Sequence, residues 1–336
     1  MNRHDIVVIG TSAGGLETLI TLITPLEKDL PAAVFIVLHL SAASSAESIV
    51  ATLQKHTVLP CKVAEANESI TYGTIYLAPA DCHLLLTDIH IRLTKGPREN
   101  GFRPSIDTLF RSAAAYHGSR AIGVILTGML YDGIVGMDAI RRSKGITIVQ
   151  DPSEAPYRDM PGNVLLHMDV NYNVPAAEIG ILINELVYRQ VEKHPIPDDI
   201  KVEAAIAERI TTSSENVEEL GERSVFICPD CGGPLWQMKH GNVVRYRCHA
   251  GHAYTAQTLL EDKDRQLEET LWMAMRILEE RKNMLISMVN QMEISTAVQA
   301  VYEEKIEEVD EYVSRIKRVI MQDISTHEVL RKQTEE

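Results

Sequence analysis

The sequence is short of cysteine, of cations and of long apolar runs. Five cysteines in 336 residues are too few, and odd in number, for a disulfide framework, so a reducing, cytoplasmic setting is expected, with some thiols left for metal. Lys and Arg number 33 against 47 Asp and Glu, a net charge of −14. A deficit of that size repels phosphate backbones and anionic lipid, which argues against nucleic acid and membrane surfaces as partners. The longest apolar runs, Ala32–Leu38 and Ala121–Leu126, suit buried strands and stop well before the roughly 18 residues of a membrane helix. The opening Met1-Asn-Arg-His-Asp leads straight into a strand without signal-peptide architecture. At 45% hydrophobic and 24% charged residues the chain is ordinary globular protein, which excludes wholesale disorder, and its length fits about two domains.

What is present, over residues 1–190, is alternation. Asp5–Ile9 is a short β-branched run followed by the Gly-rich turn Gly10–Gly15 and a helix pattern through Leu16, Leu19, Ile20 and Ile23. Ala33–Leu38 is a second apolar strand, and Ser44 or Ser45 can cap a helix running to His56. Short strands are expected at Cys61–Ala64 and Thr74–Leu77, with a hairpin around Thr87-Asp88. Pro104 opens a helix to Tyr116, Ala121–Leu126 is a strand, Gly133–Ser143 a helix and Ile146–Val149 a strand. Asn173 with Pro175 starts a further helix to about Gln190. Near-continuous apolar strands alternating with helices imply an α/β domain, doubly wound on a mostly parallel sheet.

Residues 191–224 read differently. Between Lys201 and Arg223 there are six Glu against one Lys and two Arg, the composition of a solvated acidic linker with at most a short helix. Residues 225–254 carry three of the five Cys, and 255–336 read as a helical hairpin turning at Glu293–Val298. In its second helix Tyr302, Ile306, Val309, Val313, Ile316 and Ile320 form a heptad seam; in its first, Leu271, Leu278, Leu285 and Met292 recur every seven residues.

Gly10-Thr-Ser12-Ala-Gly14 fits G-x-S-x-G, a tight strand-to-helix turn that exposes a serine hydroxyl beside helix N-terminal N–H groups. A Gly-rich turn of a dinucleotide fold is the competing reading. Against it, Ser12 occupies the second Gly position of G-x-G-x-x-G, and the second strand ends in His39 where a ribose-binding acid is expected. His39 follows Phe35–Leu38 directly, so it belongs at the carboxyl edge of a strand adjacent to that of Ser12. The third partner of a serine–histidine pair is a carboxylate that orients the imidazole. Asp132, just beyond Ala121–Leu126, is the candidate; helix capping is its alternative duty, and Asp151 is the reserve. The chain order Ser, His, Asp differs from that of α/β-hydrolases.

Several separated segments then resemble one family. Ile9–Gly15, Val37–His39, Arg103–Phe110, Gly118–Met129 with Asp132-Gly, and Gln150-Asp look like the catalytic domain of chemotaxis protein-glutamate methylesterases of the CheB type, over about residues 5–190. The resemblance implies hydrolysis of glutamyl methyl esters on chemoreceptors, with some members also deamidating glutamine. It implies Ser12 as nucleophile, His39 and Asp132 as its triad partners, and Ala13 and Met129 at the oxyanion and substrate site, with no catalytic cofactor. Leu130 and Tyr131 depart from the family, which commonly has Gly and a small or polar residue there. The receiver domain that usually precedes the catalytic domain has no counterpart in this sequence, so a stand-alone form is expected.

Cys228-Pro-Asp-Cys231 and Cys248-His-Ala-Gly-His252 are ligand pairs 16 residues apart, the pattern of a zinc ribbon. Cys228, Cys231, Cys248 and His252 are the expected ligands of a closed structural site, with His249 the alternative fourth. A segment this small would draw its fold from the metal. A redox C-x-x-C is the competing reading, but no βαβ pattern surrounds it. Residues 228–254 have three Lys/Arg against one Asp, too weakly basic for nucleic acid. Partner docking or self-association through the helices is one expected duty of the extension, and a helical pair packed on its own domain is the alternative. Cys61 and Cys82 read as packing residues, although Cys82-His83 offers a second thiol–imidazole pair. Two other functions compete with the esterase: a catalytically weak adaptor in a chemosensory-type pathway acting through its C-terminal region, and a nucleotide-binding regulator using the Gly-rich turn.

Overall fold

The computed structural model describes residues 3–40, 44–208, 218, 220–238, 243–291 and 295–335, with the side chains of the last fourteen left aside. Seven strands make its main sheet, the inner ones mostly β-branched runs buried on both sides and the two edge ones half-buried. These are β1 (Ile6–Thr11), β2 (Ala33–Leu38), β3 (Cys61–Val63), β4 (Ile75–Leu77), β7 (Ala121–Ile125), β8 (Ile146–Gln150) and β9 (Tyr172–Val174). Their order is β3-β4-β2-β1-β7-β8-β9, and every pairing is parallel. β5 (His83–Leu86) and β6 (Ile91–Thr94) form the separate hairpin expected around Thr87-Asp88.

Period-two alternation divides the core between the two faces. Ile6 and Val8 of β1 pack with Phe35, Ile106 and Phe110 on one side; Val7 and Ile9 pack with Leu19, Leu22 and Ile36 on the other. The first face is covered by α3 (Ile106–His117) and α4 (Ile134–Arg142), the second by α1 (Gly15–Ile23) and α6 (Ala176–Leu186). α2 (Ala46–Leu53) is capped by Ser45, whose Oγ accepts the Ser48 N–H at 3.2 Å. α5 (Asp159–His167) precedes β9, a strand where the sequence suggested only the approach to a helix. The order reverses at β1, which lies between β2 and β7, and the carboxyl ends of these three strands make the crevice in which such sheets take ligands.

The acidic stretch is more ordered than a solvated linker. Asp198–Glu208 forms α7, with Ile200, Glu203 and Ala204 buried, Asp199 paired to Arg142 at 2.8 Å and Glu208 accepting from the Tyr116 hydroxyl at 2.8 Å. The rest of that stretch, residues 209–217 and 219, lies outside the described residues. Beyond it β10 (Gly221–Ile227), β11 (Pro234–Met238), β12 (Arg245–Cys248) and β13 (Ala253–Thr255) make an antiparallel four-stranded sheet in sequence order. The sequence separates this segment from residues 1–190, but the chain up to Leu259 is one compact unit, with Leu260–Glu336 a second.

The second unit holds most of α8 (Ala256–Gln291) and all of α9 (Thr296–Glu335). Val309 and Val313 of the expected seam are buried with Met275, and Leu278 and Ile316 pack on them. Lys282 pairs with Asp310 at 2.7 Å. Met292–Ile294 lie outside the described residues, and α9 begins inside the segment assigned to the turn. Among the described residues no helix is long and apolar enough to cross a membrane.

Candidate active site

Ser12, His39 and Asp132 follow the ends of β1, β2 and β7, three adjacent strands. The parallel ladder pairs Thr11 with Leu38, and the His39 N–H continues it to the Thr11 carbonyl at 3.1 Å, so Ser12 and His39 are next in register. Ser12 sits in a tight turn: its N–H donates to the Thr127 carbonyl at 3.1 Å and its carbonyl accepts the Gly15 N–H at 3.0 Å. Gly14, at φ 72°, provides the left-handed step that starts α1. Gly128 lets the loop after β7 close on the serine, since a Cβ there would lie 2.9 Å from Ser12 Cβ.

The imidazole of His39 donates from Nε2 to Asp132 Oδ2 at 2.9 Å, and its side chain is 6% exposed. It also stacks on Phe102, with ring centroids 3.7 Å apart and planes within 5°. Nδ1 is buried and has no hydrogen-bond partner, the Ser12 hydroxyl included. An ionised carboxylate only accepts, so Nε2 must carry the proton and Nδ1 is the basic nitrogen. The structure therefore joins two of the three expected residues by a hydrogen bond and places the third beside them without one.

Asp132 is the most heavily bonded group of the site. Besides His39, its carboxylate accepts the Ile106 N–H at 2.6 Å, the Ser105 hydroxyl at 2.9 Å, and the Asn100 amide and Asp107 N–H at 3.3 Å each. Burial works against its charge, but the hydrogen bond and charge of His39, then the Ile106 N–H and the Ser105 hydroxyl, outweigh it and hold the carboxyl below its usual range. Its buried neighbour Asp107 is pushed up to about 8, by burial first and then by the charge of Asp132. One carboxyl of the pair keeps the charge and the other tends to the proton. Asp107 Oδ1 accepts the N–H groups of Gly133 and Gly136 at 3.0 and 2.6 Å, which fixes the start of α4. The reserve candidate Asp151 is half-buried and caps its own turn through the Ser153 N–H at 2.8 Å.

His83 stands behind Ser105. Burial pulls its pKa below the ordinary value, and as a neutral ring it accepts the Ser105 N–H at Nδ1, 3.2 Å, and donates from Nε2 to the Pro97 carbonyl, 2.9 Å. Its ring is thus committed to the Ser105 brace rather than to Cys82. Met129 is 40% exposed beside the serine loop. The Ala13 carbonyl accepts from the Thr127 hydroxyl at 3.1 Å, and the Thr127 N–H is held by Gln150 at 2.8 Å. Leu130, one of the two departures from the family pattern, adopts φ 70°, a conformation that glycine takes without strain.

A small cavity of about 110 Å³ beside His39 is lined by His39, Leu40, Asp81, Arg98, Phe102, Arg103 and Pro104. Asn100, Phe102, Ser105 and His83 were not singled out from the sequence for this site. They lie on an irregular segment, at a helix start and, for His83, at the start of β5, and no spacing rule ties them to Ser12.

A second cluster lies in the four-stranded sheet. Donor atoms of Cys228, Cys231, Cys248 and His252 all lie within 4.8 Å of one another, an arrangement suited to holding a metal ion. Each ligand pair is turned by a left-handed glycine, Gly232 at φ 70° and Gly251 at φ 101°. His249, the alternative ligand, is not in the group; its ring lies against Gly233.

Residues 7–183 match the family model for CheB methylesterase. A putative protein-glutamate methylesterase/protein-glutamine glutaminase of Leptospira interrogans is 35% identical over 192 residues, 57% of this chain and 99% of that protein. Protein-glutamate methylesterase/protein-glutamine glutaminase 4 of Geobacter metallireducens is 35% identical over 186 residues, 55% of this chain and 53% of that one. The crystal structure of the Thermotoga maritima CheB methylesterase catalytic domain superposes with a TM-score of 0.53 at 34% identity, covering 55% of this chain and 98% of that domain. On these matches, made by the half of the molecule that carries Ser12, His39 and Asp132, the chain belongs to the CheB methylesterase family.

Proposed function

We propose that the protein is a carboxylic ester hydrolase that removes methyl groups from glutamyl γ-esters of a methylated chemoreceptor or similar signalling protein, and that it also accepts glutamine amides. The observation that carries this is the Nε2–Asp132 hydrogen bond at 2.9 Å, which leaves His39 Nδ1 unpartnered one strand from Ser12. Nδ1 takes the Ser12 proton as Oγ bonds to the ester carbonyl carbon. Collapse of the tetrahedral intermediate breaks the bond to the methoxyl oxygen, and methanol leaves with the proton held by His39. Water then gives a proton to Nδ1 and attacks the glutamyl-enzyme, and Ser12 departs reprotonated. Asp132 stays ionised and steadies the imidazolium. Backbone N–H groups at Ala13 and beside Met129 receive the developing oxyanion.

The cysteine–histidine cluster fits structural zinc. A tetrahedral site with Zn–S near 2.3 Å and Zn–N near 2.0–2.1 Å has S–S edges of ~3.8 Å and S–N edges of ~3.6 Å. Cys231 Sγ lies 3.7 Å from Cys248 Sγ, which lies 3.5 Å from His252 Nδ1. The Tyr254 hydroxyl, donating to Asp230 at 2.8 Å, stands 3.2 Å from Cys228 Sγ and braces that ligand. With four protein ligands the site is closed and takes no part in the ester chemistry. The test of the enzymatic reading is methanol release from a methylated receptor fragment. The wild type releases methanol and Ser12→Ala loses at least about a thousandfold in rate; equal release by both refutes it.

A further inference from the structure

Residues 99–102, within the family-matched region, tie the carboxylate end of the site to strands outside that region. The Asn100 N–H donates to the Ala253 carbonyl at 2.8 Å, and its side-chain oxygen accepts the Thr255 N–H at 3.0 Å. The other end of the same amide donates to Asp107 Oδ2 at 2.9 Å and to Asp132 Oδ1 at 3.3 Å. Two residues further on, Phe102 carries the ring stacked on His39. Asn100 is thus a buried bridge, with strand β13 on one side and the His39–Asp132 pair on the other.

The adjacent Glu99 locks the segment from the same direction. Its carboxylate accepts from Arg111 of α3 at 2.7 Å and from Arg247 of β12 at 2.9 Å, and Arg247 also donates to the Gly251 carbonyl at 3.0 Å. Glu203 of α7 pairs with Arg245 and lies 3.7 Å from Arg111 and 3.9 Å from Arg247. All five charged side chains are nearly buried. Arg247 precedes the ligand Cys248, and Ala253 follows the ligand His252. Of the strands that touch Glu99 and Asn100, β12 therefore ends in one ligand and β13 begins directly after another.

We infer that Asn100 is a positioning residue for the His39–Asp132 pair and that the cysteine–histidine cluster, by fixing β12 and β13, sets its geometry. Loss of the metal loosens Ala253 and Thr255, frees the Asn100 amide and lets the Phe102 ring and Asp132 shift. A misplacement of about 1 Å at a reacting group costs roughly a hundredfold in rate. The inference rests on the triad reading for its catalytic consequence but not for its geometric one.

The test uses the full chain with Cys231→Ser, Asn100→Ala, Asn100→Asp and the Cys231→Ser/Asn100→Ala double variant. The measurements are bound metal by native mass spectrometry, the rate at which a fluorophosphonate labels Ser12, the proton resonance of the His39 Nε2–H, and kcat and KM for methanol release. Cys231→Ser loses the metal, labels about tenfold or more slowly, and broadens that resonance. Asn100→Ala keeps the metal and shows the same two losses, with KM within about twofold and kcat down about 10- to 100-fold. Asn100→Asp keeps the acceptor for Thr255 but sets a third acid beside Asp107 and Asp132, and is worse than Ala. The double variant is no slower than the worse single one, because both act on one element. A folded, metal-free Cys231→Ser with wild-type labelling and resonance overturns the inference. If that variant unfolds, metal-loaded Asn100→Ala decides alone, and wild-type values there overturn it. If the wild type fails to label at Ser12, the nucleophile reading falls, while the His39 resonance still decides for or against Asn100.

Discussion

Asp132→Asn tests the reading of the site most sharply, because it changes one atom of a carboxylate whose two oxygens face five donors. If the new amide nitrogen replaces Oδ2, it meets the Ile106 N–H, 2.6 Å from the oxygen it displaces, and His39 Nε2. The imidazole must then accept at Nε2 and carry its proton on Nδ1, the nitrogen that must be basic. If the nitrogen replaces Oδ1 instead, the Ser105 hydroxyl can turn to accept, but the Asn100 amide and Asp107 N–H, both at 3.3 Å, are left facing a donor. A buried donor without a partner costs about 1–3 kcal/mol, so either orientation destabilises the fold by about 2 kcal/mol. Removing the charge also relieves Asp107, which returns part of that loss. In a unit of this size the change corresponds to a Tm lower by about 4–8 °C. The wrong tautomer and the missing counter-charge together cost about a thousandfold to ten-thousandfold in kcat. Methanol release gives the rate, and calorimetry gives the melting shift. A variant within threefold of wild type in kcat would show that Asp132 does not orient His39. An unshifted Tm would show that the five donors find other acceptors.

Two further outcomes follow from buried groups near the site. Burial opposes charge on Glu99, but Arg111 and Arg247 outweigh it and lower its carboxyl from 4.5 to about 2. A depressed carboxylate stabilises the fold fully above its unfolded value and loses that contribution as pH falls through the folded one. About 3 kcal/mol therefore disappears between roughly pH 4.5 and 2. Urea unfolding across that range should fall less steeply with acid in Glu99→Gln than in the wild type; parallel slopes would refute the assignment. Gly128→Ala places a methyl 2.2 Å from Met160 Sδ and 2.9 Å from Ser12 Cβ. The flexible thioether can yield but the serine turn cannot, so a cost of about 1–3 kcal/mol and at least about a tenfold loss of kcat are expected, and unchanged turnover would show that the two loops are not in register.

The sequence was most informative where the chemistry is carried by short, local patterns. A Gly-rich turn after one strand, a histidine directly after the next and paired cysteines each announce themselves within five residues. Position along a strand then fixes which sheet edge they occupy. The heptad seam at Val309, Val313 and Ile320 was legible for the same reason, since a helix repeats its face every 3.6 residues. The acidic stretch misled because composition counts charges without their partners. Glu203 looks solvated in a Glu-rich run, yet its carboxylate is buried against Arg245, Arg111 and Arg247, which lie far from it in the chain.

By itself the sequence determined the alternating α/β layout, the residues that end β1, β2 and β7, and the spacing of the metal ligands. These depend on local backbone preference and burial. Only the tertiary structure decided that the C-terminal sheet is packed onto the same unit, that His39 uses Nε2 toward Asp132, and that Asn100 and Phe102 complete its surroundings. The His39–Asp132 and Thr255–Asn100 bonds join residues 93 and 155 apart, and the His39–Phe102 ring contact joins segments remote in sequence, through hydrogen-bond angles and ring planes with no periodic trace in a linear chain.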